Sequence, residues 1–194
     1  MVLASIDQIA IALSTTPTLI SFPTDTVPAL AARPQHADLI YQAKRRSLKK
    51  PLILMGASLQ DLLPYVSGDA DAFDVWQAIA QKHWPGQLTL VLPASDRTPS
   101  ALNLEATGTI GIRVPHHPAA IALLTRTGPL ATTSANLSGQ PPLTDPQEIA
   151  QTFPTALVLS VPSGLAIDPS GQPSTVAKWT DGGWEILRQG KVQI

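Results

Sequence analysis

The chain has 194 residues, of which 44% are hydrophobic and 14% charged, with a net charge of −1 at neutral pH. High apolar content with few charges excludes intrinsic disorder, and the balance of charges excludes a globally basic nucleic-acid binder. The absence of cysteine excludes disulfides, thiolate metal sites and cysteine nucleophiles. The sequence has neither a membrane-length apolar run nor a secretory signal, so it predicts a cytoplasmic protein.

Helices and strands are predicted in alternation along the chain. Ser5 caps a first helix with Ile6, Ile9 and Leu13 on one face, and a strand follows at 18–22. Further helices are predicted at about 37–46, from Ser58, at 71–83, at 118–126 and from Asp145, where Glu148 completes a capping pair. Further strands are predicted at 51–55, 87–92, 109–114, 130–133, 156–161, 174–179 and 184–187. This interspersion predicts an α/β fold with a mixed central sheet, and without a linker or repeat it predicts one domain over 1–194.

One segment concentrates positive charge. Residues 44–50 hold five of the 13 basic residues, and no acidic cluster lies beside them in the sequence. Such a run is compatible with a solvated helix end or with a binding site for phosphate or carboxylate. Composition alone does not choose between the two interpretations.

Polar turns follow several predicted strands, at the position where open α/β sheets bind ligands. They lie at 23–26, 132–139, 173–175 and 188–190, and Arg113 stands in an apolar strand where its charge needs an anionic partner. Glycine-rich phosphate motifs are absent, so a bound nucleotide would be held by the basic run and by arginines. Asp25 is compatible with a base, a Mg²⁺ ligand or, more commonly, a turn cap. The histidines have no zinc spacing; His116-His117 is interpreted as a loop feature, and no metal site is predicted.

Seven segments, in this order, resemble the YrdC-like family, whose enzymes are the threonylcarbamoyl-AMP synthases of tRNA modification. The resemblance covers about residues 18–190. Its segments are Phe22-Pro23-Thr24-Asp25-Thr26-Val27; Lys44-x-Arg46 with Lys50-Pro51-Leu52; Trp84-Pro85-Gly86 with 88–91; Gly111-Ile112-Arg113-Val114-Pro115; 133–139; 173–176; and 186–190.

The resemblance implies a twisted mixed sheet with flanking helices around a cationic cleft, in the single-domain bacterial type. It implies that L-threonine, bicarbonate and ATP, with Mg²⁺, give threonylcarbamoyl-adenylate and pyrophosphate. Pathway proteins then transfer the threonylcarbamoyl group to adenosine 37 of tRNA, and direct contact with RNA is a further expectation. Such a reaction depends on positioning and on charge neutralisation more than on a protein nucleophile.

The resemblance also assigns roles to individual residues. The implied catalytic residues are Lys44 and Arg46, and the resemblance implies that Lys44, Arg46 and Lys50 hold the ATP phosphates. The implied ATP contacts are Arg46, Lys50, Thr109, Ser134, Asn136 and Arg188, and the implied threonine contacts are Thr26, Arg113, Thr132 and Ser174.

The chain departs from the family pattern at the first turn. The family usually reads PTxTVYGL, and here Pro28-Ala29 replaces the Tyr-Gly pair. Proline removes a backbone donor, and alanine resists a positive φ that glycine accepts. Smaller departures are Ser47, where the family favours proline, and Met55, where some relatives have histidine. The alternatives are therefore a paralogue that binds nucleotide or RNA without this activity, one that uses another substrate, or an assembly partner in tRNA modification.

Overall fold

The structure is a computed structural model that describes residues 3–102, 107–181 and 183–194. Its strands are β1 (Leu3–Ala4), β2 (Ile20–Phe22), β3 (Ala29–Ala32), β4 (Ile53–Met55), β5 (Leu88–Pro93), β6 (Thr109–Arg113), β7 (Leu130–Ser134), β8 (Leu157–Leu159), β9 (Thr175–Thr180) and β10 (Gly183–Arg188). Its helices are α1 (Ile6–Thr15), α2 (Asp38–Lys44), α3 (Leu59–Leu62), α4 (Ala70–His83), α5 (Pro118–Thr127) and α6 (Pro146–Thr152). Short 3-10 turns lie at Pro34–His36, Leu63–Tyr65 and Ser100–Leu102.

These strands form one mixed sheet in the order β1-β8-β2-β3-β7-β4-β6-β5-β9-β10. The pairs β1–β8, β2–β8, β4–β6 and β5–β9 are parallel, and the remaining neighbours are antiparallel. The predicted α/β class with a mixed central sheet is confirmed. None of the helices in these ranges has the length and apolar character that a membrane span requires.

Local sequence signals account for most helix ends. Ser5 and Gln8 form a reciprocal capping box at α1, and Ser58 and Asp61 form another at α3. Pro118 opens α5, where a missing N–H costs nothing, and Gly128 ends it with φ +76°. At α6 the Asp145 side chain accepts the Gln147 N–H at 2.8 Å, without the predicted pairing to Glu148.

The two faces of the sheet are covered differently. Leu30, Leu54, Leu90, Ile112 and Ala131 face a continuous core built with α2, α3, α4 and α6, and all five are fully buried. On the opposite face, α1 and α5 pack against Ile20, Phe22, Ala31 and Leu130. Alternation along the strands places Thr132, Ser134, Ile53 and Arg113 on this second face, where they line a cleft.

Two strands were not predicted, β1 and β3. The β3 sequence Ala-Leu-Ala-Ala has no β-branched or aromatic residue, yet all four residues are buried between β2 and β7. Ala29 is extended and pairs with Phe22 and Ser134, and Arg45 is the non-glycine residue with a positive φ in the described ranges. The fold therefore requires no positive φ at position 29, and the resistance of alanine to such a φ has no consequence here.

The basic run leaves the helix earlier than predicted. The α2 helix ends at Lys44, and Arg45 adopts a left-handed conformation with φ 50°. The chain after Lys44 therefore turns away from the helix axis. Residues 47–50 of the run are exposed, whereas Lys44 itself is only 1% exposed.

Candidate active site

A cleft of about 210 Å³ lies on the second face of the sheet, beside α1 and α5. Three arginines and four serine or threonine side chains that the sequence singled out meet there, namely Thr26, Arg46, Arg113, Thr132, Ser134, Ser174 and Arg188. The rest of its lining is Val27, Pro28, Ala29, Ile53, Met55, Thr133, Pro142 and Pro173. Seven of the 11 predicted site residues thus share one cleft, drawn from both halves of the chain.

Arg113, at the end of β6, is 3% exposed and held at three points. Its Nη2 lies 2.7 Å from Asp25 Oδ1, its Nη1 donates to Thr26 Oγ1 at 2.9 Å, and its Nε donates to the Gly86 carbonyl at 2.9 Å. Burial lowers the pKa of Arg113, and the charge of Asp25 opposes that shift. The anion that this strand arginine needs is therefore supplied by the protein, through Asp25.

Arg188 and Ser174 form a second linked pair in the cleft. Arg188 donates from Nε to the Ser174 carbonyl at 2.9 Å and from Nη2 to Ser174 Oγ at 3.1 Å. The buried Thr89 hydroxyl lies 2.9 Å from the same Ser174 Oγ. Gly190 lets the C-terminal segment lie against this turn, since a Cβ there would sit 2.6 Å from the Pro173 carbonyl oxygen.

Lys44 lies beneath the cleft lining, not in it. Its Nζ donates to the carbonyl oxygen of Ser134, to that of Asn136 at 2.6 Å and to Asn136 Oδ1 at 3.2 Å. The Asn136 amide in turn donates to the carbonyls of Leu137 and Gln140 at 2.7 and 2.8 Å. The expectation that Lys44 contacts ATP phosphates differs from this arrangement, because three acceptors occupy its three protons.

The two other basic-run residues assigned to ATP are placed differently from each other. Arg46 lines the cleft and donates from Nε to the Lys50 carbonyl and from Nη2 to the Pro51 carbonyl, both at 3.1 Å. Lys50 is exposed and stands outside the lining. The basic run is therefore divided, with Arg46 facing the cleft and residues 47–50 forming an exposed turn. Anion binding by Arg46 stays a prediction.

Thr109 is separated from the other predicted residues. It begins β6, whereas Arg113 ends the same strand, and four residues of strand span roughly 13 Å. Thr109 instead lines a different cavity, with Ser95, Thr98 and Ser100.

Sequence reasoning missed the roles of Asp25 and Thr89 in this network. Asp25 was weighed as a base, a metal ligand or a turn cap, and the structure makes it the ion-pair partner of Arg113. The available signal was the unmatched charge of Arg113 in an apolar strand, which required a carboxylate elsewhere in the chain. Thr89 gave no signal, because threonine is common in strands.

The electrostatic character of the cleft is positive. Arg46, Arg113 and Arg188 face one space, and Asp25 neutralises one of them. Burial lowers the pKa of all three guanidinium groups, which nonetheless stay protonated near neutral pH. In the described ranges no group of three or more His, Asp or Glu side chains is placed to hold a metal. The three guanidinium groups and the hydroxyl groups of the cleft can bind a polyanion and a small polar molecule.

Comparison with known proteins identifies the family. The model of the Sua5, YciO and YrdC proteins, described as "Telomere recombination", matches residues 15–190. The chain is 34% identical over 184 residues to the threonylcarbamoyl-AMP synthase of Bacillus subtilis, covering 90% of this chain and 50% of that protein. It is 34% identical over 180 residues to the threonylcarbamoyl-AMP synthase of Vibrio parahaemolyticus, covering 89% of this chain and 92% of that protein.

A solved structure gives the same result. The crystal structure of Pyrococcus abyssi Sua5 complexed with L-threonine superposes with a TM-score of 0.81 at 30% identity. The match covers 95% of this chain and 54% of that chain. The chain therefore spans about half the length of the Bacillus and Pyrococcus relatives. It belongs to the Sua5/YciO/YrdC family, as the sequence motifs predicted.

Proposed function

We propose that this protein is a threonylcarbamoyl-AMP synthase, an adenylyl-transferring enzyme that uses L-threonine, bicarbonate and ATP and releases pyrophosphate. The observation that carries the proposal is the single cleft in which Arg46, Arg113 and Arg188 face a group of Ser and Thr side chains. Further support comes from relatives that bear this name at 34% identity and from the L-threonine complex of the Pyrococcus relative.

The chemistry suits a site without a protein nucleophile. The threonine amine attacks the carbon of carbon dioxide derived from bicarbonate and loses a proton, which gives a carbamate. A carbamate oxygen then attacks the α-phosphorus of ATP, and the bond from that phosphorus to the bridging oxygen of pyrophosphate breaks. The second step brings the carbamate and the triphosphate together, and both are anions, so the enzyme contributes positioning and neutralisation of charge.

The residues divide between the two substrates. Arg113 has two N–H groups beyond the three engaged with protein, one on each Nη, and these match a carboxylate such as that of threonine. Thr26, Thr132 and Ser174 are assigned to the same amino acid, and Arg46, Ser134 and Arg188 to the triphosphate and nucleotide. We assign Lys44 and Asn136 to holding the 134–140 segment against the cleft.

Other parts of the proposal concern residues and partners outside the cleft. Lys50 and Thr109 stay predicted ATP contacts, although both stand outside the cleft lining. Mg²⁺ would enter with the triphosphate as part of the substrate. Transfer to adenosine 37 of tRNA by pathway proteins, direct contact with RNA and a cytoplasmic location follow from the proposed reaction.

The test is release of pyrophosphate from ATP by the purified protein, with bicarbonate and each amino acid in turn. We expect release that depends on L-threonine. Arg113→Gln should raise the KM for threonine by about tenfold or more, because a bidentate charged contact is lost. Arg126→Gln is the matched control, since Arg126 is exposed and pairs only loosely with Asp7 at 3.5 Å.

The alternatives give different results in the same assay. Release with another amino acid would indicate that Pro28, Ala29 and Met55, which line the cleft, change the specificity for the amino-acid substrate. ATP binding without release for any amino acid would contradict the synthase proposal and favour the binding paralogue.

A further inference from the structure

Asp25 supplies the carboxylate of the buried ion pair at the cleft. The described residues contain two ion pairs, and only the pair between Arg113 and Asp25 is buried, with side chains 4% and 7% exposed. Asp25 does not line the cleft, whereas Arg113 does. A ligand in the cleft therefore meets Asp25 only through the arginine.

The pair fixes the orientation of the guanidinium group. Asp25 Oδ1 accepts from Nη2 at 2.7 Å, and Thr26 Oγ1 and the Gly86 carbonyl hold Nη1 and Nε. Three contacts, two from the turn that holds Asp25 and Thr26 and one from Gly86, define the plane of a flat group, and they occupy three of its five N–H donors. The two donors that remain have a fixed direction.

Asp25 is itself held in place by its neighbours. Its Oδ1 also accepts the His116 backbone N–H at 3.0 Å. Its carbonyl oxygen accepts the Gln87 side-chain amide at 2.9 Å and the Ser170 N–H at 3.0 Å. The carboxylate therefore cannot follow a moving arginine, and it acts as a fixed anchor.

A turn cap alone would not need a charge here. An asparagine supplies the same acceptor oxygen to a backbone N–H, and Asp25 Oδ2 has no hydrogen-bond partner among the described residues. A buried carboxylate with one oxygen unpartnered is costly, and its charge is compensated opposite Arg113. This distinguishes Asp25 from an ordinary loop aspartate.

We propose that Asp25 is a positioning residue, which aims the two remaining N–H donors of Arg113 at the carboxylate of the amino-acid substrate. This inference rests on the proposed function, because it takes Arg113 as the contact for that carboxylate. It predicts that losing the anchor weakens the amino-acid half of the site and leaves the nucleotide half unchanged.

The test compares Asp25→Ala and Asp25→Asn with the wild-type protein in two measurements. In pyrophosphate release, Asp25→Ala should raise the KM for L-threonine about tenfold or more, with the KM for ATP changed less than about twofold. Asp25→Asn should raise the KM for L-threonine by less, about threefold to fivefold, because asparagine keeps the acceptor oxygen and loses the charge. In NMR, exchange of the Arg113 Nε–H with water should be about tenfold faster in Asp25→Ala.

Each outcome decides the inference. Equal increases in the two KM values, together with a loss of thermal stability, would indicate a merely structural role for Asp25 and overturn the inference. A threonine KM within twofold of wild type in both variants would also overturn it. If Asp25→Ala does not fold, Asp25→Asn alone decides, and an unchanged threonine KM overturns it. If the wild-type protein does not use L-threonine, the proposed function fails, and unchanged Nε–H exchange in the variants overturns the positioning role separately.

Discussion

At the scale of single residues, Lys44 shows how a buried charge becomes part of the framework. Its ammonium group donates to the carbonyls of Ser134 and Asn136 and to the Asn136 side chain. Those acceptors lie at the last residue of β7, Ser134, and just beyond the strand at Asn136, and Ser134 lines the cleft. Lys44 therefore ties the end of α2 to the strand end that supplies the site, some 90 residues further along the chain.

We expect Lys44 to make stability depend on pH. Burial, with a smaller contribution from Arg46, lowers the pKa of Lys44 to about 7, from 10.5. Between these values the unfolded chain binds a proton that the folded chain does not, so this residue makes stability rise with pH across that window. Urea unfolding at about pH 7 and about pH 9.5 should show a smaller rise for Lys44→Met than for wild type.

Lys44→Met should also be less stable at any one pH, because buried carbonyls lose their donor at a cost of about 1–3 kcal/mol each. Lys82→Met is the matched control, since Lys82 is exposed. A pH dependence equal in wild type and Lys44→Met would contradict the lowered pKa.

At the scale of elements, β3 shows that a central strand can lack β-forming residues. Its four residues are held by antiparallel pairing to β2 on one side and β7 on the other. Ala29 lies opposite Ser134, so the strand brings the first turn of the chain to the cleft. Small side chains suit this position, because they leave room above the sheet for a ligand.

Restoring glycine at position 29 should weaken the protein. Ala29 is extended and 2% exposed, so the folded state does not use the positive φ that glycine allows. Ala29→Gly therefore adds conformational freedom only to the unfolded chain. We expect a loss of about 0.5–1 kcal/mol in the free energy of unfolding, measured with urea. In contrast, Gly128→Ala places a side chain at φ +76° and should destabilise the protein by straining the backbone of the folded state. A gain in stability for Ala29→Gly would show that the strand is strained at alanine.

At the scale of the whole molecule, stability and binding lie on different parts of the sheet. One face is filled by the large core, and the other is shared between the α1–α5 layer and the cleft. Leu123 in α5 is fully buried in that layer, away from the cleft lining. The packing of the α1–α5 layer can therefore be weakened by a substitution that removes no side chain from the cleft lining.

Leu123→Ala should cost about 2–5 kcal/mol of unfolding free energy, as expected for a large-to-small change in a packed core. Ile11→Ala, on the same layer but 63% exposed, should change stability by less than about 0.5 kcal/mol. Both variants should keep the wild-type KM for ATP below their unfolding temperatures. A raised KM in Leu123→Ala alone would indicate that the layer shapes the cleft.

Sequence patterns predicted most elements, because helices with capping residues and strands with apolar runs carry their own local signals. Strand β3 escaped prediction because partners distant in the sequence determine it. The residues meeting in the cleft could be named from motifs, but their connections could not. The ion pair of Asp25 and the burial of Lys44 depend on distances between segments about 90 residues apart. No local pattern encodes such distances.

The order of the chain along the cleft has a consequence for biosynthesis. Thr26 and Arg188 line the same space, and β5 pairs with β9 across more than 80 residues of intervening chain. Pairings between such distant segments form slowly. A nascent chain on the ribosome can build the α1–α5 layer before the C-terminal strands are made, yet it lacks Ser174 and Arg188 until synthesis has passed position 188. Premature termination before Arg188 therefore yields a polypeptide without the complete anion site.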